Sequence, residues 1–370
     1  MFVTQNWYCA AVSSELGDKP LSRKIINEDI ALFRDEEGKA HALGARCAHR
    51  GGDLSKGKCV NSTLECPWHG WRYDKSGHCT HIPSMGNEGR VPRMAKVPSY
   101  PVHEQQGFIY VWMNAEVKPD WRPEPRPFLD APYQVRFGSR HQKGIFVHTL
   151  ETALEDSHVA FAHSASIGRD IECAQLPPIT NITKSDDGRT VTGELIWPEG
   201  SKTAATPFKR WLGKLLVGSE RDGNASDKRY WVDISGLTVH EYPKEGGYRY
   251  YVFAYTTPVD EFHNRFFVGL ADSDPNRGLI NRWLSKLLMS SVFKHFVFHE
   301  DEDMISSALS DQYPGGHPKA LFVKADAMGM AYRRMYTAAL YAEGKEPAWP
   351  PVGPRPGPVT QPEKEVEKAV

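Results

Sequence analysis

Residues 47–57, CAHRGGDLSKG, and residues 66–74, CPWHGWRYD, carry Cys47-x-His49 and, sixteen residues on, Cys66-x-x-His69. Each loop offers one thiolate and one imidazole. That set suits a binuclear [2Fe-2S] centre in which two cysteines hold one iron and two histidines the other. A zinc site usually groups its ligands as C-x2-4-C followed by H-x3-5-H, an order absent here. Taken singly, a cysteine or histidine is more often a packed or hydrogen-bonded structural residue. Four in this order, with Gly51-Gly52, Pro67-Trp68 and Gly70 around them, point to a cluster.

Outward from these loops, short apolar runs such as IALF, HALGA, TLECPW and GFIYVWM alternate with the turn clusters DEEGK, DKSGH and EQQG. This is the pattern of a small all-β domain, placed at residues 5–114. Residues 115–132 are rich in proline and charge and read as a connector. A second, α+β domain is expected over 133–344. It opens on a strand-like GIFVHTL and an interrupted helix in ETALEDSHVAFAH. Long β-type stretches from ITNITK to NRFFVGLA follow, then helical spacing from Gly278 to Leu309 and from Ala325 to Ala342. Residues 345–370 have the composition of an extended or disordered tail.

The length, 370 residues, allows two domains. With 45 basic and 46 acidic residues, the balance gives no reason to expect nucleic acid or an anionic membrane as partner. No apolar stretch reaches the roughly 18 residues of a membrane span, and the first twenty residues lack a signal-peptide pattern, so a cytoplasmic protein is expected. The six cysteines are too few for a disulfide scaffold, and Cys59 and Cys79 fall outside the ligand spacing.

The second domain holds Glu155-Asp156-Ser157-His158 and, five residues after His158, His163. Two histidines near a helix end, with one carboxylate from elsewhere, make the two-histidine, one-carboxylate triad that leaves positions open on Fe(II). His158 and His163 alone would more readily be structural; their place after the cluster loops reverses that and favours metal. The segment HEDEDMISSAL carries several acids that could supply the carboxylate.

The two loops resemble those of Rieske proteins, and the whole chain resembles the Rieske non-heme iron oxygenases. It is similar in particular to their monooxygenase branch of vanillate demethylase-like, aminopyrrolnitrin oxygenase-like and pheophorbide oxygenase-like proteins. Gly52 and Trp68 stand where respiratory Rieske subunits have an extra cysteine pair, and Trp71 where a high-potential centre has serine. The resemblance therefore implies the low-potential kind. It also implies a helix-grip-like catalytic domain and a homotrimer whose clusters feed the mononuclear iron of a neighbouring subunit. The carboxylate link between the centres falls on Glu155, where the family usually has Asp, or on Asp156. Thr152 occupies a place that is often Asn. The family's third iron ligand comes from a Glu-Asp pair ahead of an apolar run, which implies Asp301, with Asp303 in reserve.

With no dinucleotide fingerprint, the chain cannot take hydride from NAD(P)H itself, so a separate reductase, with or without a ferredoxin, is expected to supply electrons. The expected activity is O2-dependent hydroxylation or oxidative demethylation of a small, apolar or aromatic organic substrate. Amine N-oxygenation and desaturation are compatible with the same site. A pure electron carrier and a binding protein with a degenerate second site are the competing classes. TPFKRWLGKLLVG, residues 206–218, reads as a substrate lid or as core.

Overall fold

The computed structural model describes residues 1–86, 89–164, 177–196, 227–275, 298–308 and 320–349. The lid segment, Cys173 and residues 350–370 lie outside them.

Up to residue 112 the described chain forms three antiparallel sheets and no α-helix. One joins Trp7–Val12, Phe108–Trp112 and Val102–Gln105. A second runs Leu21–Ile25, Glu28–Arg34, Ala40–Gly44 and Ser99–Tyr100. The third, made of Lys58–Val60, Thr63–Glu65, Arg72–Tyr73 and Cys79–His81, carries the cluster loops. Its first hairpin turns on Asn61-Ser62, with φ of 47° and 58°. Positive φ at both central residues is what a two-residue hairpin loop demands.

The second half is a seven-stranded antiparallel sheet, in spatial order Tyr133–Lys143, His263–Asp272, Arg249–Asp260, Leu237–Pro243, Lys228–Asp233, Thr190–Leu195 and Ile179–Lys184. Its two faces follow the period-2 pattern. Val239, Phe253, Tyr255 and Phe267 face Trp7, Phe108, Tyr110 and Trp112 of the first half, and Tyr110 Oη donates to Tyr255 Oη at 2.6 Å. Gly269 is required here, because a Cβ would stand 2.3 Å from the Phe253 ring. The connector joins this core, with Phe128 and Leu129 buried in it. Tyr230, Val232 and Val191 face the helices on the other side.

Those helices are α1 (Phe146–Thr152), α2 (Val159–Ala162), α3 (Phe298–Ser307) and α4 (Ala327–Ala342). The strand-like reading of GIFVHTL is therefore corrected: most of it is α1. An apolar run this short fits either period. Burial of Phe146, Val147, Leu150 and Leu154 shows that the 3.6-residue face won. Helix α4 buries Met328, Tyr332, Met335, Tyr336 and Leu340, a helical stripe. Of the expected tail, Trp349 is buried and donates to Thr337 Oγ1 at 3.0 Å. No described helix is long and apolar enough to cross a membrane.

Helix α4 is tied to α1 by a bidentate pair: Arg333 Nε and Nη2 reach Glu151 Oε1 and Oε2, each at 2.5 Å. The Arg333 side chain is 4% exposed. Arg333→Leu strands the Glu151 carboxylate, and a loss of about 3–5 kcal/mol is expected in denaturant unfolding.

Candidate cluster loops and metal centre

The two cluster loops are built alike. Cys47 N donates to Gly52 O and Gly51 N to Cys47 O, at 2.9 and 2.8 Å; Cys66 N donates to Trp71 O and Gly70 N to Cys66 O, at 2.8 and 3.0 Å. In both, the glycine four residues after the cysteine has φ near +70°, which lets the loop turn back so tightly. Cys47 and Cys66 are buried, whereas His49 and His69 are exposed with ring centroids 4.5 Å apart. A Cβ on Gly52 would lie 3.1 Å from Cys66 Sγ, so the cradle has no room for a side chain. Two thiols inside and two imidazoles at the rim are the donor set a [2Fe-2S] cluster of mixed ligation needs.

Neighbours hold the donors in place. The Trp71 ring stacks on His49 at 4.8 Å with a 2° interplanar angle. Tyr73 Oη accepts from Ala48 N and lies 3.1 Å from Cys47 Sγ, which leaves its own proton for the sulfur. Burial pushes the Cys47 thiol up, and the Tyr73 hydroxyl opposes that. The sequence reading missed Tyr73, although its place two residues after Trp71 in the quoted loop was a signal. Cys59 and Cys79 stand apart as half-buried and buried free thiols.

The second centre lies across α2 and α3. His158 precedes α2, His163 follows it, and Asp301 sits in the first turn of α3; ligand atoms of all three lie within 4.8 Å of one another. Asp301 Oδ1 is 2.9 Å from His163 Nε2 and 3.9 Å from His158 Nε2. It is solvent-inaccessible. Three ligand atoms this close together, two imidazole nitrogens and a carboxylate oxygen, fit a metal ion. Asp303 is exposed and outside this group.

Each imidazole is oriented from behind. His158 Nδ1 is 2.7 Å from Glu155 Oε1, and His163 Nδ1 is 2.8 Å from Glu300 Oε2. A carboxylate on Nδ1 fixes the tautomer that presents Nε2 to a metal. Burial would pull His163 down, but Asp301 and Glu300 outweigh it and raise its pKa: the pocket favours positive charge. Burial likewise works against the Glu155 carboxylate, and the hydrogen bonds from His158 and Ser157 outweigh it, so the net shift is downward. The role of Glu300 was not foreseen; it needed the fold to bring residues 137 positions apart together.

Asp156 points elsewhere. Its Oδ2 meets Lys228 Nζ at 2.5 Å, and Lys228 holds its pKa down against burial. Beside it, the Nε2 of half-buried His240 is 2.6 Å from Ala153 O. These two contacts pin the irregular turn between α1 and α2 to the sheet, and Glu155 and His158 ride on that turn.

Residues 6–101 match the Rieske [2Fe-2S] domain, and residues 151–342 match the vanillate O-demethylase oxygenase C-terminal domain. The dicamba O-demethylase oxygenase component of Stenotrophomonas maltophilia is 34% identical over 171 residues, 46% of this chain and 50% of that protein. The chloroacetanilide N-alkylformylase oxygenase component of Rhizorhabdus wittichii is 27% identical over 230 residues, 58% of this chain and 60% of that one. The chain thus spans about half the length of the curated relatives it matches. The structure of dicamba monooxygenase bound to dicamba superimposes with a TM-score of 0.74 at 21% identity, covering 93% of this chain and 99% of that one. That likeness concerns the fold. With a Rieske domain in front and the vanillate demethylase type of oxygenase domain over more than half its length, the chain belongs to the Rieske non-heme iron oxygenases.

Proposed function

We propose that this protein is the terminal oxygenase of a monooxygenase system, with a [2Fe-2S] cluster held by Cys47, His49, Cys66 and His69 and a mononuclear iron held by His158, His163 and Asp301. The observation that carries the reading is the convergence of those last three side chains, with a carboxylate behind each imidazole. When bound, the two centres supply electrons and a place for O2, so that one oxygen atom enters the substrate and the other leaves as water at the cost of two electrons and two protons.

This chain's own residues set the conditions. His49 and His69, exposed at the domain's rim, form the electron outlet. Glu155, bonded to His158 and 16% exposed, is the carboxylate placed to receive a histidine of a neighbouring copy in a homotrimer. Asp156 is paired with Lys228, which favours Glu155 for that link. Electrons come from a separate reductase or ferredoxin. The substrate is a small organic molecule, and the relatives named as an O-demethylase and an N-alkylformylase favour oxidation of an alkyl group on oxygen or nitrogen.

The test combines metal analysis with a substrate screen. About three irons per chain are expected, two in the cluster and one beyond it. Reductase-dependent products of methoxy-aromatic or N-alkyl compounds, identified by mass, should accompany them. Two irons and no product would make the protein an electron carrier instead.

A further inference from the structure

Four consecutive acids, Glu300 to Asp303, stand at the start of α3, and they face different ways. Glu300 backs His163, Asp301 meets the two histidines, and Asp303 is exposed. Glu302 turns to the sheet. Its Oε2 accepts from Arg140 Nη2 at 2.9 Å, and its Oε1 from the backbone N–H of Lys143 at 3.1 Å. Both partners belong to Tyr133–Lys143, the strand at one edge of the seven-stranded sheet. An edge strand carries backbone N–H groups with no further strand to accept them, and Glu302 takes the one at its last residue. The next residue, Gly144, receives α3 one turn on. A Cβ there would stand 2.8 Å from Ile305 Cγ2, and Ile305 is buried. Gly144 O accepts in turn from Asn264 Nδ2 at 2.8 Å. Two residues later α1 begins, and it leads to Glu155 and His158. Both halves of the iron site therefore stand on one short stretch of chain, residues 140–146.

We infer that Arg140 is a positioning residue for the mononuclear iron: it holds Glu302, and Glu302 fixes the roll of α3 that delivers Asp301. The inference rests on the iron site read above. Successive helical residues are about 100° apart around the axis, so Asp301 and Asp303 point to nearly opposite sides. The roll of α3 decides which of these two equal carboxylates meets the histidines. Arg140 Nη2 also lies 3.3 Å from His299 Nδ1, three residues before Glu302, so one guanidinium grips the helix at two points. Without it, Glu302 keeps only the Lys143 amide, and its charge, 23% exposed, is better solvated by turning outward. That motion carries Asp301 away from His158 and His163. An ion pair this exposed contributes little to global stability. Its loss falls on the metal site rather than on the fold.

The test is metal affinity in the full-length protein, with the cluster in place and the mononuclear site emptied by a mild chelator. Fe(II) is titrated against a chelating dye, and Co(II) serves as a spectroscopic probe of the same site. Arg140→Met and Glu302→Ala should each raise the Fe(II) dissociation constant about tenfold, the lower end of the range for groups that orient a ligand from behind. Both should shift the Co(II) d–d bands as the carboxylate moves. Because the two act through one latch, the double variant should bind no more weakly than Glu302→Ala alone. Arg140→Lys, which keeps the charge, should recover most of the affinity. Arg249→Met breaks a comparable pair, with Glu241 at 2.9 Å on the opposite face of the sheet, and should leave both readouts at the parent values. Cluster absorbance should be the same in every variant. An unchanged Fe(II) affinity and Co(II) spectrum in Arg140→Met would overturn the inference, whatever the melting temperature does. So would equal losses in Arg249→Met, or losses at Arg140 and Glu302 that multiply in the double variant. Should Glu302→Ala not fold, Arg140→Met against Arg140→Lys still decides. Failure of the iron-site reading would show separately, as a parent protein that takes up no Fe(II) beyond its cluster or an Asp301→Ala variant that keeps it.

Discussion

Alanine at Asp301 is expected to abolish product formation while leaving the visible and EPR signatures of the cluster untouched, with iron falling from about three per chain to about two. The reason is local. His158, His163 and Asp301 bring one ligand atom each within 4.8 Å of one another, and Asp301 is the only carboxylate of the three. Without it, two neutral imidazoles must hold a divalent ion. Losing even an orienting group behind a ligand costs roughly 10- to 100-fold in affinity, so losing the ligand itself costs more. Asp303→Ala is the control, since that side chain is exposed; its iron content and turnover should match the parent. Metal analysis of both variants, purified side by side, decides the matter. Retained iron in the Asp301 variant, or lost iron in the Asp303 variant, would move the third ligand.

The same comparison shows where sequence is a good guide. The cluster loops were legible because everything they need is local: each closes on itself through hydrogen bonds spanning four or five residues, and its glycine is fixed by a positive φ that only the loop determines. Six of the seven sheet strands were legible for a similar reason, since alternating burial writes itself into the residue pattern, whereas the edge strand Tyr133–Lys143 was not read from the sequence. Segment GIFVHTL was not, because its four apolar side chains, Ile145, Phe146, Val147 and Leu150, have no period until something packs on them. The iron site lies between these extremes. His158 and His163 are near each other in sequence, but the choice of Asp301 depends on where α3 docks. Composition and spacing in HEDEDM do not distinguish Asp301 from Asp303; only the resemblance, through its Glu-Asp pair ahead of an apolar run, singles out Asp301. The pairing of Glu300 with His163, and of Lys228 with Asp156, rests on contacts between distant segments and left no mark in the sequence.

That last pairing separates two adjacent acids of equal chemistry, and Glu155→Gln is the substitution that exploits it. Glu155 accepts on both oxygens: Oε1 faces His158 Nδ1, and Oε2 receives the amides of Ser157 and His158, at 2.5 and 3.1 Å. Glutamine has one acceptor oxygen, so its NH2 must confront either the imidazole N–H or two backbone N–H groups. The His158 ring loses its orienting partner, and the proposed link between the two centres loses its negative charge. The expected result is a cluster that is reduced normally, iron bound about 10- to 100-fold more weakly, and a large fall in product per reduced cluster in a single turnover of fully iron-loaded protein. Asp156→Asn should behave in the opposite way. It breaks the pair with Lys228, whose side chain is 21% exposed, so the melting temperature drops, though by less than a fully buried pair would give. Single-turnover yield per folded, iron-loaded molecule should stay near the parent value. Were Asp156→Asn to lose the transfer step and Glu155→Gln to keep it, the link between the centres would have to run through the Asp156–Lys228 pair instead.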